Sequence, residues 1–288
     1  MIFWSGDAMP DAATIKLAYD SGLANVNGGN TALTNAYPSL TGLYPLIRPT
    51  PGGIHYYAPV INENVYTNLW TGPYYGFRGV LETFALTDRP RRLRGLHLYY
   101  HFYSGTKQAS IKVMHQIYRS MEAEQPLSLW MSDYIPRLHG LYQASMARRD
   151  DGSWQVRGLD GLRTLRLDPG LGWPDLTRST GVAGVRELPQ GRYVHLSGDQ
   201  VLLSLRASRD PRPALEEANL PLLGWEYLDD RRVRVSFAGN MPLRFVVRAQ
   251  GACELEVAGK RYTGTRQQEL WRFNVPMERV IDAQLLCR

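Results

Sequence analysis

The chain has 288 residues, 44% of them hydrophobic and 21% charged, the balance of an ordinary globular protein long enough to bury a sizeable core. Its net charge of +6 permits an acidic partner without naming one. No apolar run approaches the roughly 20 residues a helix needs to cross a bilayer, and MIFWSGDAMP lacks the basic and apolar regions of a secretion signal.

In chain order, IFWS (residues 2–5) reads as an apolar strand and GDAMPD as a turn. DAATIKLAYDSGL has helical spacing, with Ile15, Leu17, Ala18 and Leu23 on one broad face and Gly22 as a stop. ANVNGG reads as a second short strand. Strand, turn, helix and strand in that order predict an α/β layer. Because the chain starts inside this sheet, we expect related sequence upstream of Met1. Residues 30–73 are helix-poor and rich in Asn, Tyr, Pro and Gly; loops of that length usually carry function. Residues 76–88 read as a helix, LRGLHLYYHF as a β-rich run, and residues 105–126 as a helix with Ala109, Val113 and Ile117 spaced by four. PLSLWMSDY reads as a short strand followed by a helix through Ala147.

The texture changes at MARRDDGSW, and a boundary is expected near Asp150. Beyond it SWQVRG, LRTLRLD, RYVHLSG, VLLSLRAS, RVRVSFAG, LRFVVRAQ and CELEVAG alternate apolar and polar residues between turns, which predicts an antiparallel β-sandwich. Cys253 and Cys287 belong to no zinc-ligand pattern; an oxidising compartment would allow them to pair, and spacing leaves that open. The densest basic cluster, DRPRRLRG, reads as a solvated loop, with single-stranded nucleic acid a weaker alternative. No phosphate-binding loop is present: NGGN lacks the lysine–serine tail.

LHLYYHFYSGTK raises the chemical question. His97 and His101 are four apart, and on a helix they would share one face. The run reads as a strand, however, which separates them by roughly 13 Å. One zinc ion takes nitrogen ligands at about 2.0–2.1 Å, so the pair cannot share it. His101 sits where a strand gives way to a loop, the place where α/β domains build sites. It suits a general acid or base, or equally a packed histidine under a loop. NENVYTNLWTGPYYGF places Asn62, Glu63, Asn64, Tyr66 and Trp70 in one loop-like stretch, a composition that fits a carbohydrate cleft or a well-ordered structural loop. Asp7 lies just past a strand end.

WSGDAMPD, LANVNGGNTALT, NENVYTNLWTGPYYGF, LTDRPRRL and YYHFYSGTK, continued by VRGLDGLRTLRL, GVAGVREL and GRYVHLS, resemble the C-terminal portion of the PelA family. These are periplasmic enzymes that modify the cationic Pel exopolysaccharide of bacterial biofilms. The resemblance spans most of the chain. It implies the second half of a polysaccharide-deacetylase-like (β/α) barrel over residues 1–150 and a β-sandwich domain over residues 151–288. It also implies N-deacetylation of an N-acetylhexosamine polymer, with a divalent metal such as zinc held by one Asp and two His, and a second Asp activating water. His101 matches the late histidine that protonates the leaving amine, and His97 has no role in the pattern. Asp7, Asn62, Glu63, Asn64, Tyr66 and Trp70 would line the substrate cleft. The Asp-x-Asp and His-x-x-x-His loops of the metal site have no counterpart in this chain, and a half-barrel is expected to be inactive, poorly stable and aggregation-prone alone. The competing expectation is a non-catalytic module that binds carbohydrate or another exopolysaccharide synthesis protein, with Trp154, Trp173, Trp225 and Trp271 as candidate contacts.

Overall fold

Short strands of two to four residues, interspersed with helices, build the first part of the chain. In this computed structural model, which describes all but residues 5–8, 29–31, 39–40, 59–60 and 89–90 and the side chains of residues 41 and 61, the fold is mixed α/β, with many strands in several sheets and few helices. The chain divides into two compact units, Met1–Pro126 and Leu127–Arg288.

In the first unit, β1 (Ile2–Phe3) pairs in parallel with β2 (Asn25–Val26) through α1 (Ala12–Asp20). The Asp11 side chain accepts the Thr14 N–H at 2.8 Å and caps α1, which buries Ile15 and Ala18. The helix-poor region holds a hairpin, β3 (Ile47–Thr50) and β4 (Gly53–Tyr56), and β4 joins β2 in parallel, giving the order β1-β2-β4-β3. A second, two-stranded sheet pairs β5 (Ile61–Asn62) in parallel with β6 (Leu98–Tyr99). The predicted helix at 76–88 is a 3-10 segment, Tyr74–Gly79, running into α2 (Val80–Thr87). Helix α3 (Gln108–Ala123) follows β6. Phe77, Val80, Phe84, Val113 and Ile117 form the core beneath these elements. Gly76 and Gly79 are required there, because a Cβ would meet the Tyr66 carbonyl oxygen at 2.2 Å and the Tyr66 ring at 2.7 Å respectively. The described strands close no barrel; the parallel pairs belong to two separate sheets.

In the second unit, α4 (Met131–Gln143) precedes the β region. The sequence assigns it to the first domain and starts a strand before it, but residues 126–130 form no strand and the division falls at Pro126. The reason is contact. Gly140 packs on the 159–162 turn so closely that a Cβ would lie 2.0 Å from the Leu159 carbonyl oxygen, and His139 bonds Asp160 through Nδ1.

All seven alternating runs contain strands. A seven-stranded sheet contains Val182–Leu188, Gly191–Leu196, Ala214–Ala218, Leu243–Arg248 and Leu270–Val275; it is antiparallel except where Val182–Leu188 meets Ala214–Ala218. A five-stranded antiparallel sheet contains Leu222–Tyr227, Arg232–Ala238, Val280–Cys287, Cys253–Val257 and Lys260–Thr263. The two share one core. Phe237 of the second sheet packs on Phe245 of the first with ring centroids 5.3 Å apart, and both are fully buried. Cys253 and Cys287 stand opposite each other on neighbouring antiparallel strands and form a disulfide.

Candidate functional site

Parallel pairing of β5 with β6 sets Asn62 beside Tyr99. The residues that follow, Glu63 and His101, therefore emerge at the carboxyl ends of adjacent parallel strands, where α/β sheets place ligand sites. The short turn Glu63–Val65 follows β5, with Asn62 Oδ1 accepting the Asn64 N–H at 3.3 Å. His101 is extended and opens the turn Phe102–Thr106.

Glu63 Oε1 gathers four donors. It accepts the backbone N–H of His101 at 2.8 Å, His101 Nδ1–H at 3.0 Å, Ser104 Oγ–H at 3.0 Å and Trp70 Nε1–H at 3.3 Å. The Glu63 side chain is only 3% exposed, against 34% for His101. A carboxylate only accepts, so it selects the ring form with the proton on Nδ1 and leaves Nε2 outward for proton exchange. Among the described residues Nε2 has no hydrogen-bond partner. The imidazole is boxed by rings. Trp70 and Tyr99 meet it at steep angles, each with centroids 5.2 Å away, and Tyr103 stacks on it at 5.2 Å. Phe102 beside it is 98% exposed.

Trp70 reaches Glu63 from an unusual backbone. Asn68, Leu69 and Trp70 have φ of 46°, 51° and 66°, three successive non-glycine residues in the left-handed region. Each costs about 1–2 kcal/mol, somewhat less for Asn, and persists where surrounding bonds fix it. Here Leu69 N–H reaches the Asn64 carbonyl at 3.1 Å, Gly72 N–H the Thr67 carbonyl at 2.9 Å and Thr67 Oγ–H the Glu63 carbonyl at 2.9 Å.

The loop residues expected to face substrate thus take different directions. Glu63 is buried behind His101, and Asn62 is a buried cap. Tyr66 turns its hydroxyl to Thr83 Oγ1 at 2.6 Å, and burial pushes its phenol up to about 12. Asn64 lies partly buried with Oδ1 enclosed and unbonded. Trp70 reaches the histidine. Asp7 lies outside the described residues.

His97 stands apart from this cluster. Burial, and then the Arg94 charge, push its pKa down to about 4, so it is a neutral histidine with an enclosed, unbonded Nδ1. The sequence reading passed over His55, which is fully buried with Nδ1 2.8 Å from Asn25 Oδ1 and Nε2 2.8 Å from the Asn27 carbonyl oxygen. It also missed Ser104, whose hydroxyl completes the Glu63 shell. In the basic cluster, Arg92 bonds the Phe84 carbonyl and Arg94 the Gly42 carbonyl.

Among the described residues, no group of three or more His, Cys, Asp or Glu side chains is placed to hold a metal ion. The metal implied by the resemblance therefore finds no fitting ligand set among the described residues. Of the four tryptophans named as candidate contacts, Trp225 and Trp271 are buried, Trp154 packs against a core, and Trp173 lies against the guanidinium groups of Arg192 and Arg209; a fifth in the second unit, Trp130, is exposed. No described helix is long and apolar enough to cross a membrane. No protein-family model, curated protein or solved structure matches the chain.

Proposed function

We propose that the chain is part of a polysaccharide N-deacetylase of the PelA type, acting on an N-acetylhexosamine exopolysaccharide in the periplasm, with His101 as general acid. The observation that carries this reading is the Glu63–His101 pair at the ends of two adjacent parallel strands. The parallel pairings of β1 with β2, β2 with β4, and β5 with β6 support reading the first unit as part of a (β/α) barrel.

In amide hydrolysis the oxygen of water joins the acetyl carbon, the C–N bond breaks, and the nitrogen must take a proton to leave as an amine. The imidazolium form of His101 supplies that proton from Nε2 and returns to the Nδ1–H form that Glu63 already holds. Divalent metal, when bound, would polarise the amide carbonyl; no step is assigned to it from the residues described.

The test is acetate release from N-acetylhexosamine oligomers by the full polypeptide encoded by the reading frame, assayed with added zinc. His101→Ala should bind the oligomer and lose acetate release by at least about 10²-fold. Unchanged turnover in that variant, or no release by the wild type, would overturn the assignment.

A further inference from the structure

We infer that Trp70 is a positioning residue for His101, and that the left-handed turn Asn68–Trp70 exists to deliver its indole N–H to Glu63. This rests on the Glu63–His101 pair described above. Two independent features converge on Trp70. Its backbone belongs to a run of three residues in a region that non-glycine residues avoid, and strain of this kind is kept where surrounding bonds over-determine it. Its side chain then makes two contacts at the pair itself: Nε1–H to Glu63 Oε1 at 3.3 Å, and a perpendicular ring contact with His101 at 5.2 Å.

The chemistry follows from sharing one oxygen. Glu63 Oε1 divides its acceptor capacity among Trp70, Ser104 and the two His101 donors, while Oε2 is enclosed without a partner. Each donor on Oε1 weakens the pull on the others. The indole N–H therefore limits how strongly Glu63 holds Nδ1–H, and the indole ring fixes the imidazole plane from the side. The remaining groups facing the ring are Tyr99 from β6 and Tyr103 from the turn after it. Trp70 thus acts on the reaction only through Glu63 and His101.

The experiment uses long-range ¹H–¹⁵N spectra of the imidazoles together with the indole N–H resonances of the whole chain. In the wild type, the Trp70 indole N–H should show through-space contacts to the His101 ring, and it should exchange slowly with solvent. In Trp70→Phe, which keeps a ring and removes the donor, the His101 Nδ1–H resonance should move downfield as Glu63 holds it more strongly. An indole N–H without contact to the His101 ring, or an unmoved Nδ1–H signal in Trp70→Phe, would overturn the inference. The wild-type indole measurement decides the matter even where the variant fails to fold. A wild-type His101 with its neutral proton on Nε2 would instead overturn the Glu63–His101 reading, so the two failures are distinguishable.

Discussion

Glu63 Oε1 accepts both the backbone N–H and the ring Nδ1–H of His101, at 2.8 and 3.0 Å. One buried oxygen therefore sets the position of the residue and the orientation of its ring. Glu63→Gln preserves the shape but removes the charge and puts an amide at this four-donor junction. Acetate release should fall about 10–10²-fold, by analogy with the loss of other orienting partners of a ligating or catalytic histidine. Chemical denaturation should show a loss of about 1–3 kcal/mol from buried polar groups left unpaired. Unaltered activity and stability would mean that the carboxylate is dispensable.

His97 gives the first unit a dependence on acid. Its pKa is lowered from 6.5 to about 4 by burial and the Arg94 charge, so the unfolded chain takes up a proton before the folded one does. The contribution is complete above about pH 6.5 and is lost as pH falls through 4, a cost of about 3 kcal/mol. Unfolding free energies measured from pH 7 to pH 4 should show this slope, and His97→Gln should flatten it.

The Cys253–Cys287 bridge closes a loop with a sequence separation of 34 inside the five-stranded sheet. Loop-closure entropy alone assigns it about 3–4 kcal/mol. Reduction, or replacement of both cysteines by alanine, should lower the denaturation midpoint of the second unit accordingly. The first unit, with no cysteine, serves as the internal control.

Gly140 offers a counter-intuitive test. Glycine inside a helix usually costs stability, and alanine at an open site would gain about 1 kcal/mol. Here the added Cβ would lie 2.0 Å from the Leu159 carbonyl oxygen, a backbone atom with little freedom to move. Gly140→Ala should therefore destabilise the second unit by about 1–3 kcal/mol, the range of overpacked sites, read as a lower unfolding midpoint.

The β region was legible because alternation reports one buried face directly: Arg232–Ala238 reads exposed, buried, exposed, buried through its first four residues. The first unit was harder. Strands β5 and β6 have two residues each, too few for any period, and their parallel pairing joins distant parts of the chain. That pairing is what turns Glu63 from one acidic group in a polar loop into the partner of His101. His101 itself was legible from its place after an apolar run. The left-handed turn at Asn68–Trp70 has no glycine to announce it. PLSLW imitates a strand, but Trp130 precedes α4 and Asp133 Oδ2 accepts its backbone N–H at 3.3 Å, a helix-starting contact between residues three apart. The change of composition at Asp150 falls inside a hairpin, since the helix expected through Ala147 ends at Gln143 and Ser145–Arg148 already pairs with Trp154–Arg157, and the unit begins earlier still because α4 packs on the Leu159 turn.

The most direct test of the central claim is the protonation form of the His101 ring, measured by long-range ¹H–¹⁵N correlation at a pH where the imidazole is neutral. The account predicts the proton on Nδ1, held by Glu63, with Nε2 unprotonated, and loss of that preference in Glu63→Ala. A neutral ring protonated on Nε2, indifferent to Glu63, would contradict it.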